Sequence, residues 1–166
     1  TYDFGTYATG GSAEKTMTVT NAGGFTATAV SGAGLVAPFT FKGGSYPGTG
    51  GSCGTSLNAS ATCTIVVRYA PTATGVQSDS VEISYFDGTG NQMQSGGLTG
   101  TGAAPALITT SDGPTYDYGA KANSSITDKT ATLTTSGGVP GTGRAGSGLA
   151  APCGFKGGTY PGTGGT

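Results

Sequence analysis

The sequence predicts an all-β chain folded as an antiparallel sandwich. Three observations carry that prediction. Short runs alternate apolar and polar residues, the clearest being Cys63-Thr64-Ile65-Val66-Val67-Arg68-Tyr69, in which Cys63, Ile65, Val67 and Tyr69 share one face. The 34 glycines and 8 prolines stand mainly between such runs, where they make turns. No stretch carries the apolar period of an amphipathic helix.

Taken in order, Tyr2-Asp3-Phe4-Gly5 reads as a short edge strand and Gly10-Gly11-Ser12 as a turn. Lys15–Thr20 alternates, with Met17 and Val19 on one face and Thr16, Thr18 and Thr20 on the other, as a half-buried antiparallel strand does. Asn21-Ala22-Gly23-Gly24 turns the chain into a strand over Phe25–Val30. A short strand at Phe39–Phe41 leads into a structured loop through Tyr46-Pro47-Gly48. The Cys63–Tyr69 strand ends at Ala70-Pro71. Ser80–Phe86 follows with Val81, Ile83 and Tyr85 inward, then the hairpin signal Asp87-Gly88 and a last strand at Leu98–Thr101. About seven short strands over roughly 100 residues is the pattern of an immunoglobulin-like sandwich. The chain has no tryptophan, so the Cys–Trp–Cys core of antibody domains is absent.

The chain also repeats itself. Pro38–Ser52, PFTFKGGSYPGTGGS, returns from Pro152 as PCGFKGGTYPGTGGT, an offset of 114. The same offset carries Tyr2-Asp3-Phe4-Gly5 onto Tyr116-Asp117-Tyr118-Gly119 and Gly34-Leu35 onto Gly148-Leu149. This reads as a tandem array: a first repeat over 1–103 and the N-terminal half of a second over 104–166. Residues 102–114 read partly as linker and partly as the second repeat's first strand, Ala106–Thr110. The first repeat's equivalent strand falls ahead of residue 1. Val139-Pro140-Gly141 argues against a strand where the first copy has one, because proline has no N–H to give a ladder.

Composition excludes several function classes. Seven basic residues scattered along a chain of net charge −1 make no cationic patch for nucleic acid. No apolar run approaches the roughly 20 residues of a membrane span. Without histidine, neither a Ser-His-Asp nor a Cys-His arrangement is available, and no catalytic residue is assigned. Gly141–Gly146 matches GxGxxG and Gly32–Ala37 its Ala-ended variant, but neither opens a helix, so no cofactor is expected. Asp87–Asn91 offers one carboxylate, which fits a hairpin turn better than a calcium loop, and no metal is expected.

Cys53 and Cys63 flank a turn-like segment and suit a disulfide in an oxidising compartment, the alternative being two buried thiols. Cys153, standing where the first copy has Phe39, reads as a small core residue. Tyr46 and Tyr160, with Lys42 and Lys156 near them, are the candidate contact residues, since aromatic rings beside glycine turns can stack on sugars. The alternative is that Tyr46 packs its loop onto its own sandwich. Lys15/Lys129 and Lys42/Lys156 both recur, and would be candidates for a covalent Lys–Asn crosslink only if buried beside an acid.

YDFG, TNAGG, the block CGTSLNASATCTIVVRYAPTATG and the terminal LTGTG together resemble the bacterial choice-of-anchor D repeats, which are similar to the Hydin and abnormal-spindle (ASH) group of immunoglobulin-like modules. The resemblance spans 1–103 and again 104–166, with Cys63–Gly75 its most specific part. It implies a secreted or surface-displayed bacterial chain whose repeats are spacers or adhesive modules with no shared catalytic residues. The expectation is a non-enzymatic structural repeat forming a stalk, fibre or filament. Its partners would be neighbouring copies of the repeat, joined head to tail through unpaired strand edges if the 166 residues are the whole mature chain, each repeat closing on itself if they are an excerpt. The alternatives are an adhesin binding a surface glycan or protein through Lys42–Gly51, or a spacer attached to a distant enzyme domain.

Overall fold

The computed structural model describes all 166 residues, which divide into two units, Thr1–Pro105 and Ala106–Thr166. It contains only strands, turns and loops, and no helix is long and apolar enough to cross a membrane.

The first unit is an immunoglobulin-like sandwich of eight strands: β1 (Tyr2–Ala8), β2 (Ala13–Thr20), β3 (Ala27–Ala33), β4 (Phe39–Phe41), β5 (Ser56–Leu57), β6 (Thr62–Tyr69), β7 (Gly75–Phe86) and β8 (Asn91–Ala103). One sheet has the order β2-β6-β4 and the other β1-β8-β7-β3-β5. Alternation in the sequence becomes two-sidedness in the fold. Cys63, Ile65, Val67 and Tyr69 of β6 point inward and meet Val81 and Ile83 of β7 and Leu98 of β8 in one core. Val66 is buried too, from the other face, and its backbone anchors the loop after β4.

An aromatic stack fills one part of this core. Phe39 lies on Tyr69 with ring centroids 4.8 Å apart, and Phe4 tilts against both at 5.8 and 5.5 Å. The Tyr69 hydroxyl donates to Gln77 Oε1 at 2.7 Å, so the buried phenol keeps a partner. Burial, with the Asp3 charge as a smaller cause, pushes its pKa up. Gly100 of β8 makes room for the ring: a Cβ there would lie 2.7 Å from it.

Cys53 and Cys63 form a disulfide with Cα atoms 4.8 Å apart, tying a buried loop residue to the start of β6. Closing so short a loop stabilises by about 2–3 kcal/mol in the chain-entropy model. Reduction is therefore expected to lower the unfolding temperature of the first unit by roughly 10–20 °C, measured by calorimetry with and without dithiothreitol.

Three features differ from the sequence expectation. β1 pairs parallel, not antiparallel, with β8, along Tyr2↔Leu98 to Ala8↔Ala103. β3 starts at Ala27, two residues later than Phe25, which is 81% exposed. The β7–β8 hairpin reaches well beyond Ser80–Phe86 and Leu98–Thr101, because a backbone ladder holds its Gln-, Ser- and Gly-rich arm without apolar alternation.

The second unit holds β9 (Leu107–Thr110) and β10 (Leu133–Ser136), paired antiparallel. None of its residues is buried. Residues 141–147, which follow Pro140 and align with β3, form no strand. Cys153 is a free, exposed thiol, correcting the expectation of a core residue. Its counterpart Phe39 is buried against Tyr69 and Phe4.

Candidate functional site

The loop Lys42–Gly51 is fixed to the sandwich by its own backbone. Lys42 N–H donates to the Val66 carbonyl (2.9 Å), Val66 N–H donates to the Pro47 carbonyl (2.8 Å), and Thr49 N–H closes the loop onto the Lys42 carbonyl (2.7 Å). Tyr46 sets its ring edge-on to Phe41, centroids 5.7 Å apart, over the face of Gly32. A Cβ at Gly32 would overlap the Tyr46 ring, which gives the glycine of that GxGxxA match a packing role. The Tyr46 hydroxyl donates to the Gly54 carbonyl at 3.3 Å, and burial pushes its pKa up. The Lys42 ammonium turns instead to β2, where it meets Glu14 at 2.7 Å. Lys42 and Tyr46 thus serve two different anchoring contacts.

The same contacts recur 114 residues later. Lys156 pairs with Asp128 at 2.6 Å, the hydrogen bond raising the Lys156 pKa. Thr163 N–H donates to the Lys156 carbonyl at 2.7 Å. Half-buried Tyr160 sets its edge to Phe155, centroids 5.6 Å apart, over Gly146, the last glycine of the GxGxxG match. Lys15 sits 4.6 Å from the Tyr2 ring and Lys129 4.7 Å from Tyr116, cation–π contacts at matching positions. Lys129 also pairs with Asp112 at 3.0 Å, raising its pKa and lowering that of Asp112.

A groove of about 680 Å3 opens between the two sheets along β2. Met17, Val19, Ala27, Leu57, Ile65 and Val81 line its apolar floor, and Phe25 stands at its mouth. Asn21 holds the rim: its amide donates to the Phe25 and Leu57 carbonyls (2.8 and 2.9 Å) while its oxygen accepts from Gly23 N–H (3.0 Å). Sequence reasoning read Asn21 only as a turn residue. Its side chain reaches across to β5, and a strand of two residues leaves no periodic signal.

At the far rim, one Asp87 oxygen accepts from Thr89 N–H, Thr89 Oγ1 and Gly90 N–H at 2.7–2.8 Å, and the other accepts from Gln92 Nε2 at 2.9 Å. Both oxygens are capped within the hairpin. The Thr89 hydroxyl first, then these amides, hold the carboxyl far below its ordinary value of 3.8. The hairpin tip therefore gains stability above about pH 4 and loses it as pH falls toward that depressed pKa. The Asp87 carboxyl resonance is expected to stay unmoved from neutral pH to about pH 3, and Thr89→Ala to bring its midpoint up toward the ordinary range, followed by NMR titration. No three His, Cys, Asp or Glu side chains gather to hold a metal ion.

No family model matches the chain, and no curated protein matches it in sequence. Among solved structures it is similar to the ASH / PapD-like domain of human CEP192 (PapD-like domain 7), at 14% identity and a TM-score of 0.45, over 62% of this chain and 82% of that one. The resemblance to choice-of-anchor D repeats rests on the sequence motifs alone.

Proposed function

We propose that the chain is a non-enzymatic structural module of a secreted or surface-displayed bacterial protein. It would hold one near-complete choice-of-anchor D-type repeat over 1–103 and the N-terminal half of a second over 104–166, as part of a stalk or fibre. The recurrence of whole contact sets carries this reading: ion pair, cation–π contact, tyrosine-on-glycine seat and closed loop all return at an offset of 114. A chemical site needs groups left free to react. Here seven of the eight carboxylates are engaged: Asp3, Asp79, Asp87 and Asp117 cap backbone N–H groups and Glu14, Asp112 and Asp128 pair with lysines, which leaves Glu82 alone and with no acid–base partner. The disulfide is compatible with an oxidising compartment. The adhesin alternative asks for a free tyrosine face, and Tyr46 already uses its ring against Phe41 and Gly32.

Antibodies raised against the chain test the reading on cells of the source organism. Labelling of intact cells is expected; labelling only after permeabilisation overturns it. A glycan-array signal lost in a stably folded Tyr46→Ala variant would move the assignment to the adhesin.

A further inference from the structure

We propose that the outer face of the larger sheet pairs with the same face of a second copy of this chain, about a two-fold axis that crosses the strands at Ser80. Val81 and Ile83 of β7 and Leu98 of β8 point into the core, so the residues that alternate with them make the outer face. The β7–β8 ladder sets these in rows: Val76 beside Thr101, Ser78 beside Thr99, Ser80 beside Gly97, Glu82 beside Ser95 and Ser84 beside Met93. The middle row carries only small side chains, with Thr1 leaning on Gly97. The two end rows carry large apolar side chains left open to solvent, Val76 at 76% exposure and Met93 at 60%.

This spacing makes the face complementary to itself. Val76 stands four residues before Ser80, and Ser84, with Met93 alongside, stands four after it. A two-fold axis at Ser80 reverses the strands of the second copy. It lays the Val76 row of each copy on the Met93 row of the other, so both exposed apolar ends are covered twice over. Glu82, two residues after Ser80, then falls over the row of Ser78 and Thr99 and not over its own copy. It is the carboxylate with no partner within its own chain, and those two hydroxyls would donate to it. Asp3, at the β1 end of the same row, lies two strands to the side, about 10 Å away, and caps Gly5 N–H. No like charges are thus pressed together.

The extent of the face sets the strength of the pairing. Five rows along the strands and four strands across, β1, β8, β7 and β3, span about 30 by 20 Å. Roughly 1,200 Å2 would be buried in the pair, the low end for a specific contact. Serine, threonine and glycine lose little side-chain freedom there. One pair would hold weakly, and on the stalk reading neighbouring chains would be joined side by side by many such pairs.

Sedimentation equilibrium of the full chain tests it. The mass is expected to rise above 15.9 kDa with concentration, toward twice that value. Val76→Asp and Met93→Lys, both at exposed positions outside the core, should each weaken association by about tenfold. An equimolar mixture of the two variants should regain it, because the axis sets the acid of one on the base of the other and keeps one Val76–Met93 contact. A chain that stays monomeric up to about 1 mM overturns the pairing. Association that either substitution leaves unchanged places the contact elsewhere and overturns it as well. Two weakened variants that do not recover on mixing rule out the axis at Ser80, and with it the proposal. Labelling of intact cells is untouched by any of these results, so the functional reading stands or falls separately.

Discussion

Phe39→Ala is expected to destabilise the first unit by about 3–5 kcal/mol, a large share of the 5–15 kcal/mol that holds a typical domain. Phe39 has no exposed surface and sits 4.8 Å from the Tyr69 ring, itself fully buried. Truncation removes the burial of a whole ring and leaves a cavity between two sheets. The three residues of β4 are held in register on β6, so the site can collapse only in part and most of the cavity remains. Urea denaturation followed by tyrosine fluorescence reads the loss, and Phe39→Leu should recover part of it. Cys153→Ala at the equivalent position is expected to change stability by no more than about 0.5 kcal/mol, because that thiol is exposed.

Gly48→Ala is expected to cost about 3 kcal/mol or more. Gly48 has φ +88, which an alanine adopts only with about 1–2 kcal/mol of strain. The larger part is steric: the new Cβ would overlap the Val66 carbonyl oxygen and lie 3.2 Å from Lys42 N, both backbone atoms. The loop cannot retreat without losing the bond from Val66 N–H to the Pro47 carbonyl. Gly162 has nearly the same φ, +94, but nothing nearer than 3.5 Å. Gly162→Ala should therefore show the strain alone, as faster exchange of the Thr163 amide that is bonded to the Lys156 carbonyl. One substitution in two copies of the same motif separates backbone conformation from tertiary clash.

How far the fold and the site could be read depended on the range of the forces involved. β2, β4, β6 and the inner half of β7 were legible because one face of each is buried, and burial writes a two-residue period into the sequence. β5 is two residues long and the outer arm of β8 is exposed, so neither carries a period. Lys42, Tyr46, Lys156 and Tyr160 were legible as recurring residues. Their roles were not, since the partners Glu14, Gly32, Asp128 and Gly146 lie far away in sequence. The groove was invisible for the same reason: its floor draws on β2, β3, β5, β6 and β7.

The sequence by itself determined the fold class, the strand faces and the internal repetition. Each follows from local pattern or from identity at a fixed spacing, and needs no knowledge of what packs on what. Only the tertiary structure decided that β1 runs parallel to β8, that Tyr46 seats on Gly32 and that Cys53 and Cys63 are bonded. These are outcomes of long-range contact. A residue's period says that it will be buried, but the strand that covers it is chosen by competition among all the apolar faces of the chain.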